Sequence, residues 1–205
     1  MFQRVPAYLV LKRKMNVHNK TVYVMLSNTG AITSKILHRI TKAPYNHVSI
    51  SLEEDLSVSY SFGRRWKYWP WIGGFVRETP DTGVFGRFPE TKIVAIPFSV
   101  TEAQYEGLRA RFAAMYEKRK RYHYDWIGLF LVLFHKRWKR KYHYFCSDFV
   151  KDILVEFGII REEDLPHIVK PHDFLTVYAE RKIYEGKLRD FTPIQIHNKE
   201  CEQTA

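Results

Sequence analysis

The 205-residue chain is poor in cysteine, in acidic residues and in long apolar runs. Its two cysteines, Cys146 and Cys201, are too few for a disulfide scaffold, so a reducing compartment is expected. The longest apolar run, 126–134, is about half as long as a membrane-spanning helix must be. Basic residues cut off a short apolar run at 7–11 and no cleavage site follows it, so no signal peptide is expected. These absences favour a cytoplasmic location, with attachment to a membrane surface as the alternative.

Acidic residues are outnumbered, because 33 lysines and arginines face 22 aspartates and glutamates and give a net charge of +11. Such a charge attracts nucleic acid, a phospholipid surface, or an acidic polymer or peptide. Basic residues are concentrated at 118–121 and 136–141, and an aromatic and basic tract at 64–69 has the composition of a base-stacking surface. Nucleic acid is nevertheless the less favoured partner, because the basic tracts are scattered and no recognised nucleic-acid-binding module is present.

The hydrophobic fraction of 45% is enough for one core, and the sequence shows no internal repeat. We therefore expect a basic arm at 1–20, one domain at 21–190 and a polar tail at 191–205. A glycine-rich and tryptophan-rich stretch at 63–91 is predicted to be a long irregular loop over a substrate groove. The other predicted elements are strands 21–27, 47–52, 57–62, 92–97 and 181–184, and helices 31–41, 101–118, one from 125 and one from 146.

Strict alternation of apolar and polar residues in 47–52 and 57–62 predicts a β-hairpin. Matching the apolar faces of the two strands places Ile50 opposite Val58. On the other face, His47 is then surrounded by serines. These small side chains are expected to let a helix approach His47 closely.

A helix is predicted to begin at Cys146, because the apolar residues that follow it are spaced as on one helical face. These residues are Phe149, Val150, Ile153, Leu154 and Phe157. A thiol in the first turn lies beside free backbone N–H groups and the positive end of the helix dipole, where a cysteine ionises most readily. The alternative is an inert structural thiol, since cysteines are often buried. A partner histidine would favour the reactive thiol.

Nine histidines compete for the role of a base that could activate this thiol. Six of them lie in polar, terminal or strongly basic surroundings, where solvation or anion binding is the simpler explanation: His18, His38, His123, His135, His143 and His197. His167 and His172 flank a turn and stay open as candidates. His47 is preferred, because it begins a strand and faces small side chains.

No metal or other cofactor is expected. His143 and Cys146 are three residues apart, but no second cysteine pair or histidine pair completes a tetrahedral zinc site. The chemistry is therefore expected to come from side chains alone.

Five short segments match a known family in their order and spacing. They are Tyr45-Asn46-His47-Val48-Ser49-Ile50, Ser59-Tyr60-Ser61, Tyr124-Asp125, Phe145-Cys146-Ser147-Asp148-Phe149-Val150 and Pro171-His172-Asp173. With the histidine first and the cysteine last, the chain resembles the circularly permuted NlpC-like branch of the papain-like superfamily. This branch includes the YiiX-like proteins and the lecithin:retinol acyltransferase group. Over about 21–175, the resemblance implies an α+β papain-like fold with a small antiparallel sheet packed on the helix that begins at Cys146.

The resemblance implies a thiol-dependent hydrolase in which Cys146 attacks a carbonyl and His47 acts first as base and then as acid. The preferred substrate is an amide of a peptide or of a cell-wall-like polymer. Acyl transfer or thioester hydrolysis on a lipid is the alternative within the same fold. A binding module that has lost the chemistry is the alternative from another class.

The third group of the site is expected on the strand that follows His47, where the family has a histidine, a glutamate or another polar residue. Ser61 is preferred, because the hairpin register sets it opposite His47, and Ser59 and Tyr60 are the alternatives. A hydroxyl lacks the charge of a carboxylate, so slow turnover is expected. Substrate contacts are expected from Tyr60, Trp66, Tyr124 and Ser147.

Overall fold

The computed structural model describes residues 20–29, 43–65, 72–128 and 138–193. The strands are β1 (Lys20–Asn28), β2 (His47–Ser51), β3 (Ser59–Arg64), β4 (Gly73–Glu78), β5 (Lys92–Val100), β6 (His123–Tyr124), β7 (His143–Tyr144) and β8 (Tyr184–Lys187). The α-helices are α1 (Gly83–Arg87), α2 (Glu102–Glu117), α3 (Cys146–Glu156) and α4 (Pro171–Val177). Short 3-10 turns cover Arg119–Arg121, Glu162–Asp164, Ala179–Arg181 and Leu188–Asp190.

Six strands form one antiparallel sheet in the order β4-β3-β2-β1-β5-β8. Two interior strands, β1 and β5, are rich in β-branched residues and are buried over most of their length. Strands β6 and β7 form a separate parallel pair of two residues each, called the ribbon below. The prediction of an α+β fold with an antiparallel sheet is confirmed.

Helix α3 packs on β2 and β3, and its aromatic residue Phe149 is the centre of that contact. The ring of Phe149 lies 5.1 Å from Phe62 of β3 and 5.6 Å from Phe75 of β4, measured between ring centroids. Helix α2 contributes Phe112 to the same core. The predicted capping box of α2 is present, since Thr101 and Gln104 exchange side-chain and backbone hydrogen bonds.

The predicted register of the hairpin is wrong by two residues. Ile50 lies opposite Tyr60 rather than Val58, and Ser51 lies opposite Ser59. The cause is a longer connection: the Ser51 hydroxyl donates to the Val58 carbonyl and accepts from a backbone N–H, which holds the chain between the strands as a wide loop. Because side chains alternate with a period of two, this shift leaves the apolar and polar sides of both strands unchanged.

The prediction that α3 would approach the serine-lined side of the hairpin is also wrong. Helix α3 covers the opposite side, where Val48, Ile50 and Phe62 join its apolar residues in one core. The serines instead fill the second side of the sheet, where Ser49 and Ser61 are fully buried.

The stretch 63–91 is not the single irregular loop that its glycines indicated, because it contains β4 and α1. Gly73 and Gly74 of β4 let the ribbon approach the strand closely, and they do not form a turn. A Cβ added at Gly73 would lie 2.6 Å from the Cβ of Tyr124, and one added at Gly74 would meet the Tyr122 carbonyl. The last strand begins at Tyr184, later than predicted. The predicted helix 31–41 and residues 129–137 of the predicted helix from 125 lie outside the described residues.

Replacing Gly74 by alanine is expected to destabilise the protein by about 1 to 3 kcal/mol, because the new methyl group overlaps backbone atoms that cannot move independently. Gly63, which pairs with Gly74, is the matched control, since an added Cβ there meets its nearest atom at an ordinary 3.4 Å. Urea unfolding of both variants measures the difference. Equal free energies of unfolding would contradict the close approach.

Among the described residues, no helix combines the length and the apolar character that crossing a membrane requires.

Candidate active site

Cys146 is the first residue of α3, directly after Phe145, whose backbone is extended. Its side chain is only 5% exposed and belongs to the main core. In any α-helix the N–H groups of the first turn have no partner within the helix. The thiol therefore lies where backbone donors and the positive end of the helix dipole favour negative charge.

His47 is the first residue of β2, so its imidazole lies at the end of the sheet rather than within it. Its Nε2 atom is 3.1 Å from Oε2 of Glu78, which ends β4. The same carboxylate oxygen accepts a hydrogen bond of 2.7 Å from the Ser61 hydroxyl. The carboxylate thus holds one nitrogen of the ring and leaves Nδ1 for another partner.

Gly63 allows His47 and Glu78 to meet, although their strands are separated by β3. A Cβ added at Gly63 would lie 3.6 Å from Cε1 of His47 and 3.6 Å from Oε1 of Glu78. A bulky side chain at this position would therefore fill the space in which the imidazole and the carboxylate come together.

The environment of His47 favours its charged form. Burial by itself lowers the pKa of His47, but the charge of Glu78 and hydrogen bonds with Cys146 and Glu78 outweigh it and raise this pKa from 6.5 to about 10. Burial raises the pKa of Glu78, yet the charge and hydrogen bond of His47 reverse that effect and the pKa is lowered. At neutral pH the pair is therefore an imidazolium and a carboxylate.

A side-chain hydrogen bond with Cys146 and the charge of Cys146 contribute to the raised pKa of His47, so the thiol lies beside the imidazole, and the catalytic role of the pair stays a prediction. The expected partner of the imidazole is wrong: Ser61 bonds the carboxylate of Glu78 rather than the ring. Ser59 is buried opposite Glu78 in the β3–β4 pairing. The sequence analysis did not identify Glu78 as a site residue. The signal available in the sequence was the change from apolar Phe75 to charged Glu78 on opposite sides of one short strand.

The predicted substrate-contact residues have different surroundings. Tyr60 stacks on Phe112 at 4.6 Å between ring centroids, so its partly exposed ring packs against the core. Ser147 is buried and its hydroxyl donates to the Val169 carbonyl at 2.7 Å, which ties the chain before α4 to α3. The burial of Ser147 corrects the prediction that it contacts a substrate, whereas the role of Tyr60 stays a prediction. Trp66 lies outside the described residues.

Tyr124 of the ribbon lies close to the thiol. Burial raises the pKa of Tyr124 well above 10, and the charges of Cys146 and Asp125 raise it further. The hydroxyl is therefore neutral at physiological pH and able to donate a hydrogen bond near the sulfur. Tyr124 therefore lies near the thiol, and its contact with a substrate stays a prediction.

Within the described part of the chain, no group of three or more histidine, cysteine, aspartate or glutamate side chains is arranged to hold a metal ion. Comparison of the chain with family models, with curated proteins and with solved structures gives no match. The chemistry of the site is therefore inferred from the arrangement of Cys146, His47 and Glu78.

Proposed function

We propose that the protein is a cysteine-dependent hydrolase that cleaves an amide bond of a peptide or of a cell-wall-like polymer. One observation carries this proposal: a single partly buried imidazole is shared between a helix-start thiol and a partly buried carboxylate. A nucleophile, a base and a group that orients the base are the three parts that thiol catalysis requires. The family resemblance supports the same conclusion, since a cysteine at a helix start and a histidine at a strand start are the papain-like arrangement.

In the first step, the Cys146 sulfur, whose proton passes to His47, attacks the carbonyl carbon and forms a C–S bond, while the carbonyl electrons move to the oxygen. The backbone N–H groups at the start of α3 and the hydroxyl of Tyr124 are the donors proposed to stabilise this oxyanion. The His47 imidazolium then gives its proton to the amide nitrogen, the C–N bond breaks and the amine leaves. A thioester between the acyl group and Cys146 remains.

In the second step, His47 takes a proton from a water molecule whose oxygen attacks the thioester carbonyl. The C–S bond breaks, the carboxylic acid leaves, and the proton on His47 restores the ion pair with the thiolate. Glu78 bonds the ring through Nε2 throughout, which keeps Nδ1 directed at the reacting groups and stabilises the imidazolium. The Glu78 carboxylate supplies the charge that a serine hydroxyl in the same place would lack.

Two other functions use the same residues. Transfer of the acyl group to an alcohol or amine, or hydrolysis of a lipid thioester, needs the same nucleophile and differs only in the molecules that enter and leave. A pure binding module has no need for an ionised histidine and glutamate pair that is largely shielded from water, because shielding charges is costly. The partly buried pair therefore favours chemistry over binding alone.

Limited alkylation with iodoacetamide at neutral pH tests the proposal. Cys146 is expected to react faster than Cys201, because it combines a helix start with an imidazolium partner. Peptide mapping by mass spectrometry measures the two rates. His47→Ala should reduce the rate at Cys146 and leave that at Cys201 unchanged. Faster labelling of Cys201 in the parent protein would refute a reactive Cys146.

A further inference from the structure

Large apolar side chains are exposed around the ribbon of β6 and β7. They are Ile72, Ile127, Trp138 and Tyr142, with exposed fractions of 48%, 49%, 57% and 36%. Exposed basic residues lie beside them in the sequence: Arg119, Lys120, Arg121, Lys139 and Lys141. These nine residues are called the ribbon surface below.

Hydrogen bonds of Arg65 connect two members of this surface to the ribbon. The backbone N–H of Arg65 donates to the Ile72 carbonyl at 2.9 Å, and its guanidinium donates to the Tyr122 carbonyl at 2.5 Å. The ring of Tyr142 meets that of Tyr122 edge to face, with centroids 5.6 Å apart. Tyr122 therefore positions Tyr142 through the ring contact and Ile72 through Arg65.

The carboxylate of Asp125 positions the other two apolar members. It accepts a hydrogen bond of 2.8 Å from the Gly128 N–H and a second one from Arg140. Ile127 directly precedes Gly128, and the Arg140 guanidinium lies 5.5 Å from the centre of the Trp138 ring. The exposed side chains of Ile127 and Trp138 are thus both positioned by the buried carboxylate of Asp125.

The ribbon surface adjoins the proposed active site. Tyr124 pairs with Tyr144 in the ribbon, and Tyr144 is two residues before Cys146. The ring of Tyr124 is 4.5 Å from that of Trp126, which directly precedes Ile127. The exposed residues and the thiol therefore share the same short structural unit.

We propose that the ribbon surface docks on an anionic phospholipid bilayer. Tryptophan prefers the boundary between headgroups and acyl chains, isoleucine enters the acyl region, and lysine and arginine pair with acidic headgroups. Nucleic acid explains the basic and aromatic residues but not exposed isoleucines, which cannot stack on bases. A second copy of the chain would bring two surfaces of the same charge together.

This docking would place Cys146 next to acyl groups or amides that are presented at a membrane. That use of the surface rests on the proposed function, whereas the docking itself does not. The two are separated by measuring membrane binding with Cys146→Ala, which has no nucleophile. Binding by this variant without hydrolysis by the parent protein would support the docking and contradict the proposed chemistry.

Sedimentation with vesicles tests the docking. Binding is expected to vesicles with about one-third phosphatidylserine and to be much weaker for phosphatidylcholine alone. It should fall steeply between about 0.1 M and about 0.5 M salt, because exposed charges are screened. The double variant Arg121→Gln/Lys141→Gln should lose about 25-fold in partitioning, about fivefold for each charge. The matched control Lys92→Gln/Lys170→Gln removes two exposed charges elsewhere and should bind like the parent protein.

The apolar contribution is tested in the same assay with the double variant Ile127→Ser/Trp138→Ser. Its binding to the acidic vesicles should be weaker by about tenfold or more. Val177→Ser is its control, because Val177 is an exposed apolar residue of α4 outside the ribbon surface. The proposal is overturned if the parent protein does not bind the acidic vesicles at low salt, or if the control variants lose as much as the ribbon variants. Tighter binding to a single-stranded oligonucleotide, or dimerisation that Ile127→Ser/Trp138→Ser abolishes, would overturn it in favour of that partner.

Discussion

Replacing Glu78 by glutamine is expected to lower kcat/KM by about a thousandfold, because the amide can hold the imidazole but cannot stabilise its charge. The pH profile should change as well. Without the carboxylate, the pKa of His47 should fall from about 10, since the charge of Glu78 is the largest influence that raises it. The measurement is kcat/KM between pH 6 and pH 10 on an amide substrate, roughly one point per half unit.

The control for this variant is Ser61→Ala, which removes the hydroxyl that donates to the Glu78 carboxylate at 2.7 Å. Its effect should be near tenfold, since the carboxylate and its contact with the ring stay in place. If Ser61→Ala proved as damaging as Glu78→Gln, the serine rather than the carboxylate would be the group on which His47 depends.

Stability is expected to decrease strongly as the solution becomes alkaline. The pKa of His47 is about 10 in the folded protein, compared with 6.5 when unperturbed. Protonation of His47 therefore contributes its full stabilisation below about pH 6.5, progressively less above it, and none once the pH has risen through about 10. The fall in the free energy of unfolding across this window should amount to several kcal/mol by linkage.

Urea unfolding at several pH values measures this fall, and His47→Gln is the comparison. The variant has no titrating imidazole, so its free energy of unfolding should be lower at neutral pH. It should also vary much less between about pH 7 and about pH 10. Parallel curves for the parent protein and the variant would contradict an ion pair between His47 and Glu78.

The sequence predicted the elements that local patterns specify. Helical spacing after Cys146 and alternation after His47 each depend on a few consecutive residues, so both elements were found near their observed positions. The pairing of thiol and imidazole followed from the order of these elements and the resemblance to a known fold. Even the error of two residues in register kept the sides of the hairpin, because only an odd shift exchanges them.

The third member of the site could not be predicted in this way. Glu78 reaches His47 across an intervening strand, through space that Gly63 leaves open, and no local pattern reports such a contact. Two glycines also made β4 look like a loop, although they are there because the ribbon passes close to the strand.

Ser147 was predicted to contact substrate. One residue along a helix, however, is a rotation of about 100°, which turns the serine into the core.

Glu78 belongs to the edge strand β4 of the main sheet, whereas His47 belongs to the interior strand β2 and Cys146 to the main core. Terminal strands take part in the local openings of lowest free energy, which amide hydrogen exchange detects long before a domain unfolds. The arrangement of the proposed active site therefore depends on the order of one six-residue strand. In an enzyme of the proposed kind, inactivation on warming would precede the loss of the fold, and a contact that holds β4 in place would extend the working temperature without altering any reacting group.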